Sequence, residues 1–183
     1  PGRWRRGALA DVREGSLLVA DPAAFVLDRQ CLFKAVVLVT ERTADDLVIG
    51  VILNRPASWC DLLAPDGTSG VLGHFGGPLG VGAVGPSAAR GKVALCGVHC
   101  REDWARRGSY QPIGPGGFYR IGPEAAFAHG TGPHFLASEG ALFVRGFVAW
   151  RRQSLVDDLG EGRLFAAGPR SAAAAAVRRQ LGD

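Results

Sequence analysis

An α+β fold with a mainly antiparallel sheet and flanking short helices is the architecture this chain predicts, on three observations. Lys34–Thr40 and Val48–Leu53 are short runs rich in β-branched residues, as strands are. About seven residues join them, whereas a parallel crossover takes roughly a dozen or more, so the pair reads as an antiparallel hairpin. Strand-like and helix-like segments then alternate irregularly, unlike the regular repeat of a doubly wound parallel sheet.

The remaining elements follow in order. Ser16–Ala20 is a strand candidate closed by Asp21-Pro22, and the two hairpin strands are near-continuous apolar runs, which implies cover on both faces of the sheet. From Pro56 to Gly91 the chain is rich in Gly and Pro and reads as loop. Lys92–Val98 and Gly117–Ile121 are further strand candidates, separated by a polar insertion between Arg101 and Gly116. Pro123–His129 suits two helical turns, Leu142–Ala149 one buried strand, Gln153–Leu159 a short helix and Leu164–Ala167 a last strand. Ser171 is placed to N-cap a helix over Ala172–Val177, with Arg178 and Arg179 at the negative end of its dipole and Gly182 as the stop. The expected organisation is a basic arm over residues 1–14, a domain over 15–170 and a C-terminal helix over 171–183.

Composition narrows the functional classes. Of 183 residues 47% are hydrophobic and 21% charged, an ordinary balance for one domain with a substantial core. The longest apolar stretches, Ala35–Val39 and Leu47–Leu53, fall far short of the roughly 20 residues that span a bilayer. Formal net charge is +4, and the basic residues gather at the ends: Arg3, Arg5 and Arg6 around Trp4, then Arg151 and Arg152, then Arg178 and Arg179. Nucleic-acid binders carry a denser basic stripe with exposed aromatics, so Arg3, Trp4, Arg5 and Arg6 read instead as an arm for an acidic protein partner or anionic membrane surface. The absence of methionine and the Arg-rich, acid-free first ten residues are read as the mark of processing, as in an organelle-targeted precursor. Four scattered cysteines make no disulfide framework, and a reducing compartment is expected.

Each candidate chemistry meets a physical test. Gly80-Val81-Gly82-Ala83-Val84-Gly85 has dinucleotide-loop spacing, but no strand precedes it and Pro86–Gly91 leaves no room for the helix whose N-terminus would hold the pyrophosphate. Cys96, His99 and Cys100 suggest metal ligands. In an extended strand, however, the two cysteines stand about 13 Å apart, too far to share one zinc ion with bonds of about 2.3 Å. Cys100 beside His99 is a conceivable activated thiol, yet neighbours on a strand point to opposite faces. No Gly-x-Ser-x-Gly is present; Gly67-Thr68-Ser69-Gly70 lacks the strand and helix of a nucleophile elbow. His129 and His134 flank a Gly/Pro loop without a carboxylate, and Glu102-Asp103 and Asp157-Asp158 read as surface acids. No catalytic residue, metal or cofactor is expected.

Three blocks remain. Ile49–Leu53 is an apolar run that stops at Asn54-Arg55-Pro56; Phe75-Gly76-Gly77-Pro78-Leu79 follows; Gly146-Phe147-Val148-Ala149-Trp150 comes later, with Leu155 and Asp158 beyond. One reading is structural, with Asn54 capping the strand end through its side chain and Gly76-Gly77 supplying a turn. The sharper reading has Asn54, Arg55, Gly76, Gly77, Pro78 and Trp150 forming a small polar cleft, with Arg55 available to an anionic group.

Together these blocks resemble the AlgH/YqgE family, over most of residues 15–169. The opening Gly15–Pro22 is similar to the family's first strand, and Gly117–Gly122 and Gly-Val-Ile-Leu-Asn-Arg-Pro resemble the plant-type members. The chain departs from the family pattern at Ser154-Leu155 for Gln-Leu, at Asp158 for Glu, at Leu164 for Trp and at Arg42 for a frequent His, so any family cleft is altered here. The resemblance implies a single AlgH/YqgE-like domain; the family's label of putative transcriptional regulator is unaccompanied here by any helix-turn-helix pattern. The functional expectation is therefore a protein without catalytic activity of its own, an accessory subunit of a larger plastid assembly. The alternatives are a small-anion-binding enzyme or regulator at the Asn54/Gly76 cleft, and a nucleic-acid-associated regulator.

Overall fold

In the computed structural model, which describes residues 9–24, 27–55, 74–79, 95–105, 110–121 and 140–181, ten strands form two five-stranded sheets. The first takes the order β10-β1-β2-β3-β9, from Leu164–Ala167 (β10), Leu17–Ala20 (β1), Val36–Arg42 (β2), Leu47–Ile52 (β3) and Val148–Arg151 (β9). All its pairings are antiparallel, including the expected hairpin, whose register runs from Val37 opposite Ile52 to Arg42 opposite Val48 with a shift between Val39 and Glu41. The second sheet takes the order β4-β8-β5-β7-β6, from His74–Phe75 (β4), Leu142–Arg145 (β8), Leu95–His99 (β5), Tyr119–Ile121 (β7) and Tyr110–Pro112 (β6); only β4 and β8 run parallel.

The mainly antiparallel α+β architecture is carried by two sheets, and the cause of the division is local. The expected single strand Leu142–Ala149 breaks at Gly146, whose φ of +79° leaves the extended region. Its first half, β8, belongs to the second sheet and its second half, β9, to the first. The polar insertion also carries order: Glu102–Ala105 is one helical turn (α1) that buries Trp104. Pro123–His129 lies outside the described residues.

The first sheet is buried on both faces, as its apolar runs require. Leu18, Val37, Val39, Ile52, Val148 and Trp150 face one core, against Leu155 and Leu159 of the helix Arg152–Gly160 (α2). Leu17, Leu38, Val51 and Leu53 face the other, against Val98 and Val144 of the second sheet and Ala174 of the helix Ala172–Gln180 (α3). Ser171 caps α3, its Oγ accepting the Ala174 N–H at 3.2 Å. Val12 lies in the first core at 0% exposure, so the segment expected as an arm over residues 1–14 already contributes to the domain at this position. Asp158 is no surface acid. It is buried and held by Arg163 at 3.0 Å, an ion pair that, with Glu161 nearby, raises the arginine pKa above its ordinary value.

Candidate functional site

The Asn-Arg-Pro block ends β3 and ties it to the chain before β2. Asn54 accepts the Val36 N–H through Oδ1 at 2.9 Å and donates through Nδ2 to the Lys34 carbonyl at 2.8 Å. Both atoms of the amide thus serve backbone that a positive φ of +54° at Lys34 turns away from regular pairing. The Arg55 guanidinium donates to the neighbouring Phe33 carbonyl. Removing the side chain by Asn54→Ala is expected to cost about 1 kcal/mol, lowering the thermal midpoint by about 2–4 °C, because the site is solvent-exposed and water recovers part of the loss. Asn54→Asp, which keeps the acceptor and loses the donor, falls between; an unchanged midpoint for both variants would contradict the clamp.

The Gly-Gly-Pro block meets the same junction. Ile52 N–H donates to the Gly76 carbonyl at 2.9 Å, Phe75 N–H to the Arg55 carbonyl at 2.8 Å and Gly76 N–H to the Arg145 carbonyl at 2.7 Å. Leu79 and Phe147 exchange both backbone bonds, at 3.1 and 2.9 Å. A Cβ on Gly76 would lie 2.3 Å from the Gly146 carbonyl oxygen, and one on Gly77, at φ +151°, 2.2 Å from the Phe147 carbonyl. These glycines let three backbone segments touch where the two sheets meet. The structure therefore brings Asn54, Arg55, Gly76 and Gly77 together, leaves Pro78 exposed, and sinks Trp150 into the core beneath the first sheet. His74, in the same β4, is held neutral to lower pH than usual by its burial. Arg3, Trp4, Arg5 and Arg6 lie outside the described residues, as do Gly80–Gly85, His129 and His134.

At the other end of the second sheet, β5 delivers His99 and Cys100 to different surroundings. His99 is fully buried among rings: Tyr110 at 4.8 Å edge-on, Trp104 at 5.2 Å and Tyr119 at 5.3 Å stacked. Its Nδ1 accepts the Arg101 N–H at 3.1 Å, which assigns the neutral ring's proton to Nε2, and Nε2 has no hydrogen-bond partner among the described residues. Burial lowers the imidazole pKa to about 4, despite the opposing charge of Asp103. Asp103 is itself held low by the hydrogen bond from Arg101, at 3.0–3.1 Å.

Cys100 instead lines a cavity of about 330 Å³ with Glu102, Pro115, Gly116, Gly117, Arg170 and Arg178. Arg178 is fixed at its wall, donating to the Gly116 carbonyl and, at 3.4 Å, to the Pro169 carbonyl, with its guanidinium 5.9 Å from the Phe118 ring. Sequence reasoning missed this place because its residues come from segments up to 78 positions apart. The one available signal was the Gly114-Pro115-Gly116-Gly117 turn, whose Gly114 and Gly117 take φ of +61° and +72°.

No family model and no curated protein matches the chain by sequence. Solved structures do. The solution structure of the AlgH protein from Pseudomonas aeruginosa superposes with a TM-score of 0.56 at 19% identity, over 98% of this chain and 93% of that one. A crystal structure of a structural-genomics protein from Corynebacterium diphtheriae gives a TM-score of 0.57 at 18% identity, over 86% of this chain and 76% of that one. The two antiparallel-rich sheets with their short helices make an α+β fold, and these superpositions show that it is AlgH-like.

Proposed function

We propose that the protein is a non-catalytic interaction or accessory subunit, working in a larger assembly inside a plastid. The observation that carries this reading is the use made of the Asn-Arg-Pro and Gly-Gly-Pro blocks. Asn54 spends both amide atoms on the backbone of Lys34 and Val36, and Gly76 and Gly77 are filled by neighbouring backbone. The blocks that dominate the family resemblance thus build the junction between the sheets. The plastid setting rests on the plant-type wording Gly-Val-Ile-Leu-Asn-Arg-Pro over residues 50–56 and on the Arg-rich residues 3–6. Basic residues also border the described surface, with Arg151, Arg152, Arg170 and Arg179 exposed, which suits an acidic partner.

Affinity purification of the native protein followed by size-exclusion chromatography tests this. The expected result is elution well above the 19.2 kDa of the chain, with a stoichiometric co-purifying protein. A free monomer in every fraction would defeat the proposal.

A further inference from the structure

The cavity beside Cys100 has the chemistry of a small ligand site, and we infer that it binds a small organic anion through Arg170 and Arg178. This inference stands independently of the accessory-subunit reading. Among the described residues, the guanidinium groups of Arg170 and Arg178 line the same concavity as the Glu102 carboxylate. Arg178 is preorganised: its bonds to the Gly116 and Pro169 carbonyls and its place over Phe118 hold the planar fork in position. Arg170 is exposed at the mouth, immediately before the Ser171 cap, where it can close on a bound group.

The wall between them is backbone. A Cβ at Gly116 would lie 2.8 Å from Pro169 Cβ, so glycine brings this turn close, and Gly117 adds no side chain to the space. The volume sits at the low end of ligand cavities, roughly 300–1,000 Å³, which suits a small acid and not a dinucleotide. The ligand class is thus a small carboxylate or phosphate. Cys100, 2% exposed and not disulfide-bonded, supplies a thiol at the cavity wall.

That thiol is also a reporter. The full chain is alkylated with iodoacetamide in malate, inorganic phosphate or chloride at equal ionic strength, and Cys100 and Cys31 are followed separately by peptide mass spectrometry. The bound anion slows Cys100 by 1 + [L]/Kd, about fivefold at four times Kd, and leaves Cys31 unchanged. Arg170→Ala, a change at an exposed position, abolishes the protection without lowering the thermal midpoint. Protection by malate and not phosphate identifies a carboxylate ligand; the reverse identifies a phosphate. If Cys100 resists alkylation throughout, the midpoint decides: a rise in either anion that Arg170→Ala removes supports the site. Equal behaviour in all three salts, or an effect that survives Arg170→Ala, overturns it.

Discussion

Gly77→Ala is expected to leave little folded protein. The added methyl would lie 2.2 Å from both the carbonyl carbon and oxygen of Phe147 and 2.7 Å from the Val148 nitrogen, all backbone atoms of the segment that joins the two sheets. A flexible side chain can swing aside, but this backbone is tied by the Leu79–Phe147 bonds and by the pairing of Val148 with Gly50. Relief means separating the Gly77–Leu79 segment from Phe147–Val148, which breaks the Leu79–Phe147 hydrogen bonds. The φ of +151° adds a conformational penalty for any residue with a Cβ. We expect a loss above about 4 kcal/mol, a large share of the 5–15 kcal/mol that holds an ordinary domain together. Gly117→Ala is the contrast: φ is also positive, but the nearest atom is Arg178 Cδ at 3.5 Å, so the cost is the left-handed backbone alone, about 1–2 kcal/mol. Urea denaturation of the two variants separates these causes. A Gly77→Ala protein as stable as Gly117→Ala would show that the junction yields.

The second large effect is the part of the dependence of stability on pH that His99 contributes. His99 is neutral in the fold until about pH 4, whereas an exposed histidine takes up its proton near 6.5. Between those values the unfolded chain binds a proton that the native state refuses, so stability falls as pH drops through this window. Above pH 6.5 the contribution is complete; below 4 both states are protonated and the group adds no further slope. The difference corresponds to about 3 kcal/mol at most. The cause is geometric: rings of Trp104, Tyr110 and Tyr119 surround the imidazole, and its Nδ1 is occupied as an acceptor, so protonation must break the bond from Arg101. His99→Phe keeps an aromatic ring and removes the titration. Urea midpoints of both proteins at pH 7.5, 5.5 and 4 should converge as the acid end is approached, with the native protein losing about 2–3 kcal/mol more than the variant. Parallel curves would rule out His99 as the source.

Sequence patterns revealed those parts of the fold that local chemistry decides. The strands around Leu17–Ala20, Val36–Arg42 and Leu47–Ile52 are set by apolar runs, the hairpin by the shortness of its linker, and α3 by Ser171 and its alanines. Asn54 was legible as a strand cap for the same reason: Asn is a side chain that bonds to nearby backbone. What escaped depended on contacts distant in sequence. Nothing local to Leu142–Ala149 says that its two halves join different sheets, although Gly146 marks where they part. Asp158 looked like a surface acid because its partner, Arg163, is recognised only once the turn after α2 folds back. The cavity of Cys100, Glu102, Arg170 and Arg178 is assembled by tertiary packing from three segments.

The double burial of the first sheet has a consequence for strand alignment. In a sheet with one wet face, a slip of one residue throws the apolar side chains into water, and hydrophobicity alone forbids it. Here Val36–Val39 is apolar at every position and both faces are dry, so such a slip would exchange the occupants of two cores without exposing them. Alignment must therefore be enforced from the strand's ends. At one end the amide of Asn54 grips Lys34 and Val36, and at the other the irregularity between Val39 and Glu41 admits only one frame. Asn54 thus acts as an index pin, and its loss should show less in the depth of the native well than in the population of mis-threaded chains beside it.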